Sequence, residues 1–432
     1  MNNGRKNARS KGRTQRLGVV IAAVIALMLP LALTSCAPEQ KPVQHTPKPS
    51  AVAPSGDGIL RIGTLFPTTG AASYLGAAQV AGVEVAVKEI NQAGGVLGKP
   101  VEVLHRDSGD ASTTTAETSF ADLVAKKTDV IIGPSSSVLS LRLVPKIVDA
   151  KVAMISTAAT APALTTARDS GYLFRTIPSD SLEGTALGQL LGKTKDVKAA
   201  LVYFDDDQGN AIHGTFGTAL ADAGGKVVLN QKFDGSSVVA TVLAEVIKAK
   251  PDVVVMASPF SAMEQNKALI TGLAAAGLGG TKLWLTGGAM ADYSQALPNG
   301  SLTGVNGILE GVVPSDAFKA RVKAADPNVS DYRYAAEAYD ATILAALAAS
   351  SAKDDSGEAI ARTLQSVSEK GIKCLSYGEC LDVLKTQSDI DYDGISGVIG
   401  FDASGDPTSA HYGTFKYDGE SRFQPAGTTV TE

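Results

Sequence analysis

From Ile59 onward the chain alternates short β-branched runs with longer stretches in which apolar residues recur every three or four positions. "ILRIGTLF", residues 59–66, has the pattern of a buried strand. The stretch beginning at Ala77 places Val83, Ala86, Val87 and Ile90 on one helical face and Gln79, Glu84, Lys88 and Asn91 on the other, with Gly94 and Gly95 as the stop. The rhythm continues through "PVEVLHRD", a helix over 114–127, "TDVIIG", a helix over 138–150 and "KVAMIST". A second block begins near Lys198, with strands "KAALVYF", "KVVLNQKF", "DVVVMAS" and "KLWLTGG" separated by helices over 211–225, 238–250 and 263–277. This alternation predicts parallel sheets covered by helices on both faces. Two successive blocks predict an α/β chain of two doubly wound lobes.

The residues before Ile59 follow no such pattern. "MNNGRKNARSKGRTQR" carries six cations and no acid, an apolar run follows, and "LTSC" places small residues before Cys36. Residues 1–35 therefore read as a signal peptide, and the cysteine context resembles a bacterial lipoprotein signal, with Cys36 as the lipidated residue. The expectation is an exported protein held by its lipid at the outer face of the cell membrane. Residues 36–58, rich in proline and polar residues, read as a tether in which His45 is solvated.

Composition narrows the chemistry. The 432-residue chain is 44% hydrophobic and 19% charged, enough to bury a large core. Its net charge is −5, and removing the six leader cations leaves −11 with no basic cluster, which excludes nucleic-acid binding. Four histidines and three cysteines leave few candidates for a metal site or a nucleophile-base pair. The chain has neither G-x-S-x-G nor H-E-x-x-H; "GQLLGKT" is one residue short of a phosphate loop; and "DIDYDG" opens like a calcium loop but has Gly400 at the twelfth position in place of glutamate. These absences argue against an enzyme and against a cofactor or metal. Cys374 and Cys380, six positions apart in an exported chain with no histidine nearby, read as a disulfide.

In doubly wound sheets, ligands bind beyond the carboxyl ends of the strands, where helix N-termini present free N–H groups. In the first block those segments are "PTTGAASYLG", "GPSSS" and "STAATAPALT", all small, hydroxyl-rich and nearly uncharged. Such loops suit a carboxylate held by N–H and O–H donors.

"IGTLFPTTGAASYLGAAQVAGVEVAVKEINQAGGVLGKPVEV", "VIIGPSSSVLSLRLVPKIVDAKVAMISTAATAPALT", "LFRTIPSD" and the late "YDGISGVIGFDASGDP" resemble the leucine/isoleucine/valine-binding family of type I periplasmic binding proteins, over most of residues 59–419. The resemblance implies two lobes, residues 59–178 with 309–396 and residues 179–308 with 397–432, joined by crossovers near 176–179, 307–312 and 396–402 and closing on a ligand like a hinged clamp. It implies a monomer that delivers a branched-chain amino acid or a related amide or carboxylate to the permease subunits of an ABC importer. The alternatives are a sensing lipoprotein of the same fold and, more distantly, a secreted hydrolase. Carried over by position, the ligand residues are Tyr74, Ser136, Ser137, Ala158, Ala159 and Thr160 from the first lobe and the unmatched positions Gln208 and Gly288 from the second; Phe260, after "DVVVMAS", reads as a replacement aromatic wall or as a core phenylalanine. Gln208 stands where the family has an aromatic wall, and Gly287–Gly288 stand where amino-acid binders place an acid for the ammonium. A buried ammonium without a counter-charge is costly, which weighs against an α-amino acid unless Asp206, Asp207 or Asp292 substitutes.

Overall fold

The computed structural model describes residues 54–431 apart from 71 and 387. The signal segment, Cys36 and His45 lie outside those residues. In the first sheet, strands β1 (Arg61–Phe66), β2 (Glu102–Asp107), β3 (Val130–Ile132), β4 (Ala153–Ser156) and β5 (Leu173–Arg175) run parallel in the order β2-β1-β3-β4-β5. One face is covered by α1 (Gly76–Gln92) and the late helix Ala335–Ala352, the other by α2 (Thr115–Ala125) and α3 (Ser137–Ala150). Alternate strand residues feed the two cores: Val130 and Ile132 point one way, Ile131 the other.

The second lobe opens with α4 (Asp180–Gly192), so "GQLLGKT" is the end of a helix and its start of the following turn. Then come β6 (Lys198–Phe204), α5 (Asp207–Asp222), β7 (Lys226–Phe233), α6 (Val239–Ala249), β8 (Val253–Ala257), α7 (Met263–Ala275), β9 (Leu283–Leu285) and β10 (Asn306–Glu310). After the helices α8 (Asp316–Ala325), α9 (Ala335–Ala352), α10 (Gly357–Thr363) and α11 (Tyr377–Lys385), with the small parallel pair β11 (Ile372–Cys374) and β12 (Ile390–Tyr392), the chain returns as β13 (Ala410–Tyr417) and β14 (Phe423–Thr431). The second sheet is ordered β7-β6-β8-β9-β10-β13-β14 and is antiparallel only at β13 and β14. Cys374 and Cys380 are disulfide-bonded between β11 and α11. No helix among the described residues is long and apolar enough to cross a membrane.

The chain passes between the two sheets three times: between Arg175 and Asp180, between Glu310 and Asp316, and between Phe401, which packs in the first core, and Ala410 of β13. The end of the proline-rich stretch is not free coil. Ser55 and Gly56 donate backbone N–H groups to Asp354, and Gly58 and Ile59 donate to Asp355, which fixes this segment at the turn between α9 and α10.

A buried ion pair locks the first and third crossings together. Arg175, fully buried at the end of β5, donates from Nε to Asp406 Oδ1 at 2.7 Å, from Nη1 to the carbonyls of Ala159 and Ala161 at 3.3 and 3.2 Å, and from Nη2 to Thr165 Oγ1 at 2.9 Å. One guanidinium thus joins β5, the loop after β4 and the third crossing. Losing it strands Asp406 and two carbonyls, so Arg175→Met is expected to cost roughly 3–5 kcal/mol. Urea unfolding reads this directly; an unchanged midpoint would contradict the assigned role.

Candidate functional site

Three loops at the carboxyl end of the first sheet meet around one side chain. Gln79 is fully buried: its Nε2 donates to the Leu75 carbonyl and to Ser135 Oγ, both at 2.9 Å, and its Oε1 accepts from Thr157 Oγ1 at 2.6 Å. The helical pattern predicts that Gln79 faces water with Glu84 and Lys88. In the structure the first turn of α1 lies against the loops after β3 and β4, and the amide supplies the polar partners that those loops need. Of the three serines in "GPSSS", Ser135 therefore binds Gln79. Ser136 caps α3 by accepting from the Leu139 N–H, and Ser137 accepts from the Ala161 N–H at 3.1 Å, joining the two loops. Ala158 and Thr160 are half-buried. Ala159 is fully buried; its N–H donates to Ser156 and its carbonyl accepts from Arg175, which places it behind the loop.

The aromatic positions do converge. Tyr74, after β1, and Phe260, after β8, come from opposite lobes, and their rings lie 6.5 Å apart across the cleft. The Arg333 guanidinium sits 5.0 Å above the Tyr74 ring and pairs with Asp331 at 2.9 Å, so its charge is already compensated. Gln208 and Gly288 are also together: a Cβ built on Gly288 would lie 2.4 Å from Gln208 Oε1 and 2.7 Å from the Ser258 carbonyl, so no side chain fits at 288.

Gly287 holds the largest departure from expectation. A Cβ there would lie 2.5 Å from Glu310 Oε2, so the space of a side chain at 287 is filled by a carboxylate from the end of β10. Glu310 Oε1 accepts from the Tyr334 hydroxyl at 2.8 Å, and Tyr334 reaches it from a left-handed backbone, φ 60°. Glu183, in the first turn of α4, accepts the Gly287 N–H at 3.1 Å. Glu310 Oε2 and Glu183 Oε2 are both buried without a hydrogen bond of normal geometry, although the Gln208 amide lies near enough to Glu183 to favour its charged form. Two carboxylates with unsatisfied oxygens thus converge at Gly287, and neither forms an ion pair among the described residues.

Burial, reinforced by Glu310 and Asp180, holds Glu183 well above the usual carboxylate range. Burial, with Glu310 second, pushes Asp180 up to about 7, and burial carries Glu337 to about 8. The three acids named in advance for this charge are elsewhere or differently engaged. Asp206 caps α5 through the Gly209 N–H, Asp207 is exposed in the first turn of that helix, and Asp292 accepts the Ser294 N–H. Glu310 and Glu183 went unnoticed in the sequence. Their signal was an acid at the carboxyl end of a buried strand and one in the first turn after a crossing.

The histidines and the aspartates of "DIDYDG" have other partners or places. His105 is held by Thr64 and Glu84, His213 stacks on Tyr203 with centroids 4.5 Å apart, and His411 lies in β13. In "DIDYDG", Asp391 and Asp393 pair with Lys373 at 3.1 and 2.8 Å, and no grouping of potential metal ligands occurs among the described residues.

Comparison with known proteins identifies the family and the fold. A sequence model of the periplasmic binding protein family matches residues 59–378. The chain is 27% identical over 372 residues to the chemotactic signal transduction system substrate-binding protein BasB of Halobacterium salinarum, covering 81% of this chain and 85% of that one. It is 29% identical over 295 residues to Leu/Ile/Val-binding protein homolog 8 of Brucella abortus, covering 65% and 70%. Among solved structures, the isoleucine complex of LivJ from Streptococcus pneumoniae superposes with a TM-score of 0.63 at 21% identity, over 86% of this chain and 99% of that one. The benzoate complex of an ABC-transporter solute-binding protein from R. palustris gives 0.61 at 20% identity, over 86% and 96%. With two helix-covered parallel sheets, three crossings and a family match over residues 59–378, the chain belongs to the type I periplasmic binding proteins, a family of solute-binding proteins.

Proposed function

We propose that this chain is the extracytoplasmic receptor of an ABC importer and that it captures an α-amino acid between its lobes. Ser136, Ser137, Ala158 and Thr160 face the carboxylate, Tyr74 and Phe260 enclose the ligand, and Glu310, supported by Glu183, holds the ammonium. The observation that carries the reading is the Glu310 carboxylate in the space of a side chain at Gly287. It supplies from β10 the counter-charge whose apparent loss weighed against an amino acid. A benzoate-like acid, the ligand in the R. palustris complex, would leave that carboxylate buried and unpaired. The mechanism is population shift: a ligand touching both lobes favours the closed arrangement by its extra contacts there. Attachment through a lipid on Cys36 would keep the receptor beside its permease. A sensing role is the second reading, favoured by the name of the Halobacterium relative.

A ligand that binds only the folded protein stabilises it, by about 2.7 kcal/mol at a hundred times its Kd. Alanine and leucine are therefore expected to raise the melting temperature, and benzoate is not. Glu310→Gln is expected to abolish the shift while leaving the ligand-free protein as stable as before or more so, because an uncompensated charge is removed. A full amino-acid shift in Glu310→Gln would refute the reading.

The buried acids also set a pH dependence. Asp180 and Glu337 have folded pKa values of about 7 and about 8, above their ordinary 3.8 and 4.5, so the folded state holds protons that the unfolded state releases. Their contribution is fully present below about pH 4 and is lost as pH rises through 7 and 8. Asp129, half-buried just before β3 and raised to about 7 by desolvation, acts in the same direction. Chemical denaturation of the ligand-free protein between pH 5 and 8.5 is expected to show falling stability, with a shallower slope in the Asp180→Asn, Glu337→Gln double variant. Equal slopes would remove these two groups from the explanation.

A further inference from the structure

Glu310 borders a second space. A cavity of about 370 Å³ opens between the lobes where the chain crosses after β10, and Glu310 and Tyr334 form part of its wall. Most of that wall is apolar: Val312, Val313 and Pro314 on the crossing, Phe415 and Phe423 on β13 and β14, and Tyr332 from the first lobe. Phe415 and Phe423 meet edge to face, with centroids 5.4 Å apart at 90°, an arrangement that exposes ring surface to a further aromatic group.

The basic side chains of the wall are already paired. Each basic side chain there has an acid of its own: Arg333 pairs with Asp331, Arg422 with Asp418, and Lys319 with Asp316. The acids Glu310, Glu337 and Asp292 form no ion pair among the described residues. Glu337, raised to about 8, holds its proton at neutral pH and Asp292 is exposed, so the buried unpaired oxygen here is that of Glu310, and an apolar room beside it suits an amine that carries an apolar body. Its volume falls within the range of small-molecule sites, whose usual form is an apolar cleft with a few placed polar groups.

We propose that this cavity is a second compartment of the same site, taking an aromatic or long apolar substituent of the amine that Glu310 holds. The proposal rests on the amino-acid reading above and narrows it: the preferred solute has a side chain larger than those of the branched-chain amino acids. Because the walls come from both lobes, the substituent adds contacts that exist only when the lobes are together.

Titration calorimetry of the purified protein with L-phenylalanine, L-alanine and 3-phenylpropionate tests it. Gln424→Trp, on the second lobe, and Ser330→Trp, on the first, fill the compartment from exposed lining positions where substitution is cheap for the fold. Phenylalanine is expected to bind more tightly than alanine, and 3-phenylpropionate, which has the same body without the amine, is expected not to bind. Each tryptophan variant is expected to weaken phenylalanine roughly tenfold or more and to leave alanine within about twofold. Phenylalanine binding undiminished in both variants, or alanine binding where phenylalanine does not, would overturn the compartment and leave the receptor reading standing. Equal loss of both amino acids in a variant that melts like the wild type also overturns it. Binding of neither amino acid to the wild type would remove both proposals.

Discussion

One buried amide holds the first half of the site together. Gln79 lies in the first turn of α1 and hydrogen-bonds Leu75, Ser135 and Thr157, so the segments after β1, β3 and β4 share a single fixed point. Inside a dry core each of those hydrogen bonds is difficult to replace, because an orphaned partner loses its water without compensation, at about 1–3 kcal/mol per group. Arg175 does the same from the other side, holding the carbonyls of Ala159 and Ala161 and the third crossing through Asp406. Between these anchors the hydroxyl loops are rigid before any ligand arrives, and preorganised donors lose little freedom on binding.

The second half of the site has the opposite character. Glu183 and Glu310 each present a buried oxygen with no partner, and Asp180 and Glu337 are close enough to add to the strain. Burying carboxylates this way costs several kcal/mol apiece unless they are protonated or paired. Burial and the neighbouring acids accordingly raise the proton affinities of Asp180, Glu183 and Glu337. In the proposed reading a cationic group at Gly287 would replace those protons with a better partner, and the cost of burying the carboxylates would become selectivity for a positively charged ligand.

Much of the fold was legible because strands and amphipathic helices imprint their period on the sequence. Val83, Ala86, Val87 and Ile90 are buried as the pattern requires. The failures have physical causes. Gln79 looked solvent-facing because periodicity assigns every polar residue to water, whereas a first-turn position can face loops that need polar partners. Helix α9, buried from Ala335 to Ala349, is apolar nearly all round and has no periodic contrast to detect. The Arg175–Asp406 pair joins residues 231 positions apart, a contact that local pattern does not encode. At the site, Tyr74, transferred by position, and Phe260, read from its place after a strand, lie with their rings 6.5 Å apart, while transfer read Gly287 as a lost carboxylate. In the proposed reading that charge comes instead from the neighbouring strand, and only the geometry of Glu310 against Gly287 points to it.

That relocation is the centre of the functional reading, and it can be reversed. Gly287 has no left-handed backbone requirement, and the three atoms nearest a Cβ there all belong to Glu310. In the double variant Gly287→Glu, Glu310→Ala the carboxylate returns to position 287 as its obstacle is removed. Amino-acid affinity of this variant, measured by calorimetry beside the Glu310→Ala single variant, tests whether one charge can serve from either strand. The predicted result is lost binding in the single variant and recovered binding in the double. Undiminished binding in Glu310→Ala would contradict it, showing that Glu310 does not hold the ligand.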